Sequence, residues 1–211
     1  MKKLALVLIP LLALPLFASA AQKRVKQKTA MDFPTVIENV QSAWKAGEYG
    51  RCSALLREAT ALCMVERSRA ILRVLPPAPE GYEIIVDRSM EQMANNPMMS
   101  AMAASVGNVV SQEYRGPENI KVQVTADSPL VGMLGMWIAN PAMLEEGSEL
   151  IEYGSHKAVL KTTRGGQGRE LLILINGAHT CQVNYRGTNE DFLFELFDQR
   201  RVDALARVLG Q

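Results

Sequence analysis

Between residues 33 and 75 the apolar positions recur at helical spacing. Val36, Ile37, Val40 and Trp44 fall three and four apart, and Cys52, Leu55, Leu56, Ala59, Leu62, Cys63, Ile71 and Leu75 continue the rhythm over about seven turns. Asp32 or Thr35 can cap the first helix, Pro34 suits its opening turn, and Gly47 stops it. A helical hairpin is predicted over residues 32–75. Pro76, Pro77 and Pro79 then break the helix, and the pattern changes period. Tyr82 to Asp87 reads as a strand, and residues 89–112 as helix interrupted at Asn95-Asn96-Pro97. In Ile120 to Thr125, Ile120, Val122 and Val124 alternate with Lys121, Gln123 and Thr125, which is the period of a half-buried strand. A helix follows from Pro129, capped by Asp127 or Ser128. Strands are predicted at 149–153, 157–162, 170–175 and 180–186, with RGGQGR and Asn176-Gly177 as turns. A single helix from Asn189 to Leu209 closes the chain, its apolar stripe being Phe192, Leu193, Leu196, Phe197, Leu205 and Leu209.

Consecutive strands joined by hairpin turns imply an α+β protein: an N-terminal helical hairpin followed by a mainly antiparallel sheet covered by helices, the latter over residues 80–211. The proline-rich step is the expected boundary between the two.

The first twenty residues change the picture. Lys2 and Lys3 precede an apolar run from Leu4 to Phe17, and Ala18-Ser19-Ala20 supplies small residues for cleavage. This is the pattern of a secretory signal peptide cut after Ala20, which places the mature chain in the periplasm or outside the cell. The run is shorter than the ~20 residues that span a bilayer, and the mature chain offers no other transmembrane candidate. Without Lys2 and Lys3, the formal net charge of +1 falls to −1, so no overall field favours nucleic acid. One basic run remains, Lys23, Arg24, Lys26 and Lys28, within a tail at residues 21–31. It reads as a solvated tail; with no apolar anchor beside it, docking to phospholipid headgroups would be weak.

Three cysteines are an odd number for an oxidising compartment. Cys52 and Cys63 sit eleven residues apart in one predicted helix, ~16 Å along its axis, too far for a disulfide. Whether Cys181 pairs is open; free, buried cysteines are the default.

Candidate chemistry is sparse. The stretch MEQMANNPMMSAM holds Met90, Met93, Met98, Met99 and Met102, and Met133, Met136 and Met143 lie in a second apolar segment with Trp137. Thioethers at helical spacing suit Cu(I), but they equally suit a buried or partner-facing helix. Flanking Ala and Val residues extend the apolar surface beyond any coordination sphere, and no His or Cys lies in the stretch. The expected binding residues are therefore Met98, Met99, Met102, Met133, Met136 and Trp137, meeting an envelope protein or an apolar ligand, with no metal and no cofactor. A Cu(I)-binding protein is the alternative. No nucleophile elbow, zinc motif or dinucleotide fingerprint is present. An enzyme would have to use His156 or His179, and would require one of them beside a carboxylate or thiol in a cleft.

Two resemblances follow. "AWKAGEYGRCSALLREA" resembles the phrase between paired helices of tetratricopeptide repeats, although only one such unit is present. From "LPPAPEGYE" onward, with "ADSPL", "NPAML" and "HKAVLK", the chain resembles a group of uncharacterised exported bacterial proteins, with Tyr82 where Trp is more usual. That resemblance implies a periplasmic location and carries no activity. The strand–helix order is also similar to the PsbP/Mog1-type sandwich of binding and accessory proteins.

Overall fold

The computed structural model describes residues 31–86, 107–128, 146–163 and 165–210, with Val131, Gly132, Gly135, Ile138 and Leu144 individually. Asp32–Gln211 forms one compact unit. Two helices, α1 (Phe33–Lys45) and α2 (Tyr49–Val74), make the antiparallel hairpin. The Asp32 carboxylate caps α1 by accepting from Thr35 N at 3.0 Å, and Gly47 turns the chain at φ +73°. The aliphatic stripe of α1 turns out narrower than its spacing suggested. Val36 and Ala43 are buried, whereas Trp44 is 64% exposed.

Seven strands follow: β1 (Glu83–Val86), β2 (Asn108–Arg115), β3 (Ile120–Ala126), β4 (Ser148–Tyr153), β5 (His156–Thr162), β6 (Arg169–Ile175) and β7 (His179–Tyr185). They form one wholly antiparallel sheet in the order β1-β2-β3-β7-β6-β5-β4. Helices α3 (Glu190–Leu196) and α4 (Gln199–Leu209) end the chain. The architecture is thus α+β, an N-terminal helical hairpin followed by the antiparallel sheet.

One face of the sheet is the core. Val110, Tyr114, Ile120, Val122, Val124, Leu171, Ile173, Cys181 and Val183 pack there against Ile71 of α2 and Leu75 just after it, Leu193 and Phe197 from the α3 segment, and Val202 and Leu205 of α4. The C-terminal half of α2 therefore shares the sheet's core. The proline-rich segment is tied down as well: the Pro76 carbonyl accepts from Tyr114 Oη at 2.8 Å and from Gln112 Nε2 at 3.5 Å.

Two predicted elements differ. The helix expected through residue 112 gives way to β2, entered through Gly107 at φ +90°. The alternation is genuine but is written partly in polar residues, since Asn108 and Gln112 face the core with Val110 and Tyr114. Asn108 is accommodated by donating through Nδ2 to the Met64 carbonyl (3.1 Å), while Ser68 Oγ donates to its Oδ1 (3.1 Å). The closing helix is two helices, because Asp198 caps a fresh start by accepting from Arg201 N at 3.0 Å.

The opposite face carries transverse rows fixed by register. Ser111, Gln123, Gln182, Leu172, Val159 and Leu150 form one row; Glu113, Lys121, Asn184, Glu170, Lys161 and Ser148 form the next. The β3–β4 connection has to travel from the middle of the sheet to its far edge. Val131 and Ile138 in it are buried, and a β-carbon at Gly135 would stand 3.7 Å from Leu174 Cδ2 on this second face.

Candidate functional site

Both methionine-rich connections depart from one end of the sheet; the first returns there, and the second enters β4 at the other end, where Ser148 pairs with Lys161. β1 leads into residues 87–107, which re-enter at Asn108; Asn108 pairs with Ala126, where β3 ends and the second connection departs. β7 begins at the same end, with Thr180 opposite Thr125. The six sequence-predicted binding residues, Met98, Met99, Met102, Met133, Met136 and Trp137, lie outside the described residues, as do Met90 and Met93 of the copper alternative.

What the structure does assemble at this end is a charged cluster around Asp127. Asp127 adopts φ +57°, a left-handed conformation that is uncommon for any residue but Gly, though Asp is among the few that tolerate it. That geometry turns its backbone N–H towards β7, where it donates to His179 Nδ1 at 3.2 Å. Its carboxylate, one of two cap candidates with Ser128, pairs with Arg67 of α2, with its other oxygen 3.8 Å from His179 Nδ1. Arg67 Nη2 also donates to the Leu209 carbonyl at 2.7 Å, at the C-terminal end of α4 where the helix dipole favours a cation. Four elements distant in sequence are clasped together.

The electrostatics keep the imidazole neutral. Burial pushes the pKa of His179 down, and Arg67 acts in the same direction; Asp127 and the Leu209 carbonyl oppose them but do not win. With Nδ1 accepting from an amide, the proton of the neutral ring resides on Nε2. A cleft of ≈ 660 Å³ opens here, lined by Glu66, Arg67, Asp127, His179 and Leu209 among others. His179 thus meets the requirement of a carboxylate neighbour in a cleft. Among the described residues that line the cleft, none carries a hydroxyl or thiol that could serve as its nucleophile. His156, also buried, stands with Nε2 3.6 Å from Asp203 Oδ1 on α4.

At the opposite end of the second face lies a polar cleft of larger volume, ≈ 810 Å³. Glu113, Lys121 and Asn184 of one transverse row line it, with Gln167 and Arg169 near the β5–β6 turn, and Arg186. Arg169 Nε donates to Glu190 Oε1 at 2.5 Å, so its charge is already matched. Beside it, Tyr185 donates to Glu118, and burial raises the phenol's pKa far above its ordinary value. Phe192 lies between Tyr82 and Tyr185, its centroid 5.9 and 5.7 Å from theirs. Gly116 and Gly187 make room for the two tyrosine rings, because a β-carbon at either would strike one.

All three cysteines are free thiols. Cys52 and Cys181 are buried, and burial pushes the Cys181 thiol up to about 12, which leaves it inert. Cys63 is exposed, against the expectation of burial, because it falls on the side of α2 away from the core.

Among the described residues no group of three or more His, Cys, Asp or Glu side chains could hold a metal ion, and no helix is long and apolar enough to cross a membrane. Sequence reasoning named His179 and offered Asp127 or Ser128 as a cap, but had no signal for Arg67, because residues 67, 127, 179 and 209 share no local pattern. No protein-family model matches the chain, and neither a curated protein nor a solved structure matches it.

Proposed function

We propose that this is a non-enzymatic protein of the bacterial periplasm that works by contact, engaging an envelope protein or an apolar ligand through Met98, Met99, Met102, Met133, Met136 and Trp137. The observation that carries the reading is that the two methionine-rich connections depart from the same end of the sheet, beside the Asp127 clasp. One compact surface can then present both sets of thioethers, whose flexibility suits varied apolar partners. The second connection already has one side engaged, with Val131 and Ile138 buried.

Catalysis is the weaker reading of the same end. The Nδ1 of His179 is taken by an amide and the Asp127 carboxylate by Arg67, so neither is poised to move a proton. The test places a photo-crosslinking residue at Met99 or at Met136 in the exported protein, in cells. A discrete adduct to the same partner from both positions, lost in a Met98→Glu/Met133→Glu variant of unchanged circular dichroism, is the expected result. Adducts that differ between the two positions, or none above those from Lys157 on the second sheet face, would refute the shared surface.

A further inference from the structure

The polar cleft beside the β5–β6 turn lies away from the methionine-rich connections, and its walls are pinned by backbone contacts. Thr163 N donates to the Gly168 carbonyl at 3.0 Å and closes the turn. Arg186 N donates to the Asn119 carbonyl at 2.9 Å, which ties the residue after β7 to the residue before β3. Gly168 lets the turn press on β7, because a β-carbon there would stand 2.8 Å from the Tyr185 carbonyl oxygen. Glu113, Lys121 and Asn184, side by side on β2, β3 and β7, form the floor. At ≈ 810 Å³ the cleft has the volume of a small-molecule site. Its charges do not cancel. Arg169 is matched by Glu190, and Glu113 by Arg115 Nη2 at 3.5 Å. Lys121 and Arg186, both exposed, have no ion-pair partner among the described residues. Nor do the side-chain amides of Asn119, Gln167 and Asn184 hydrogen-bond to any described residue.

We propose that this cleft binds an acidic saccharide, with Lys121 and Arg186 holding its carboxylate and the three amides its hydroxyls. A primary amide sets a donor beside an acceptor, which is the pairing that two neighbouring hydroxyls present. An anionic group supplies the counter-charge that two unmatched cations lack. Other polar occupants fit less well. An extended peptide docks by adding to a free strand edge, but β3, β7 and β6 under the cleft are each paired on both sides. A nucleic acid strand needs exposed rings on which its bases stack, and Tyr185, the one aromatic residue in the lining, is 2% exposed. The inference does not rest on the contact surface proposed above, and it requires no catalysis.

The test is titration calorimetry of the protein, expressed from the full chain, with trigalacturonate. Neutral maltotriose and the peptide triglutamate, whose net charge equals that of trigalacturonate, are run beside it. Trigalacturonate should bind with a dissociation constant tighter than about 1 mM, and each comparator at least about tenfold more weakly. Raising the salt should weaken the binding. Lys121→Gln/Arg186→Gln should weaken it about tenfold or more, and Asn184→Ala several-fold. Lys157→Gln, which removes an exposed cation at the other end of the same face, should change nothing. The substituted cations are exposed, so circular dichroism should be unchanged in both lysine variants. Absence of binding, or equal affinity for maltotriose, would overturn the proposal. So would binding indifferent to Lys121→Gln/Arg186→Gln. Equal affinity for triglutamate would also overturn it and give the cleft to acidic peptides.

Discussion

Ile71→Ala asks whether the hairpin is part of the sheet's core or merely attached to it. Ile71 is fully buried near the C-terminal end of α2 and belongs to the same apolar cluster as Tyr114, Val124 and Leu205. The substitution deletes three carbons. At ~0.8 kcal/mol for each buried methylene the transfer loss is ~2.4 kcal/mol, and the unfilled cavity raises the total to about 3–4 kcal/mol. For a chain of this size each kcal/mol lowers the melting temperature by roughly 2–4 °C, so a fall of about 6–16 °C is expected. Urea unfolding followed by far-ultraviolet circular dichroism measures the free energy. Leu56→Ala, half exposed on the same helix, serves as the control and should cost less than about 1 kcal/mol. A single transition displaced to lower urea with unchanged slope is the predicted outcome. A cost below about 1 kcal/mol for Ile71→Ala, or a separate early transition involving only the hairpin, would refute the shared core.

Three further predictions concern the polar and cramped sites. His179 is held neutral when folded, its pKa lowered by burial, so its stabilisation is fully present above the unfolded value of about 6.5 and is lost as pH falls below it; His179→Gln should flatten that acid limb of a pH–stability curve, and an unchanged limb would exclude His179 as its source. Gly187→Ala should destabilise by about 1–3 kcal/mol, because its β-carbon would collide with the Tyr185 ring, itself buried and bonded to Glu118; a melting temperature equal to that of the parent would contradict the packing. With a thiol reagent at neutral pH, one cysteine, Cys63, should react in the native protein and all three after denaturation, whereas a count below three under non-reducing, denaturing conditions would reveal a disulfide.

What could be read from the sequence depended on whether a signal was local. Asn176-Gly177 announced its hairpin because both residues accept the positive φ that a two-residue turn demands, and they adopt +52° and +69°. The strand alternation of Ile120–Ala126 was equally legible, as every second residue is aliphatic. β2 was not, because two of its inward positions are Asn108 and Gln112, satisfied by carbonyls of α2 and of Pro76. The aliphatic spacing on α1 pointed to Trp44 as core, yet a helix buried along one narrow line leaves the outer members of its stripe to solvent. The clasp of Arg67, Asp127 and His179 could not be read at all. It exists only once β3 and β7 lie side by side, and the left-handed turn at Asp127 depends on the acceptor waiting on the neighbouring strand.

The strand order has a consequence for how the chain must be assembled. β1 to β3 and β4 to β7 are two meanders of near neighbours, and in the sheet only the seam between β3 and β7 joins them, from Ile120 opposite Tyr185 to Thr125 opposite Thr180. Until the seventh strand has been synthesised, the ribbon Ile120–Ala126 keeps one row of amides and carbonyls unclaimed, flanked by Ile120, Val122 and Val124. A truncation that removes residues 179–211 should therefore turn the first meander from a partner into a template for self-association, and a polypeptide stalled before residues 179–211 emerge would need a chaperone to hold it.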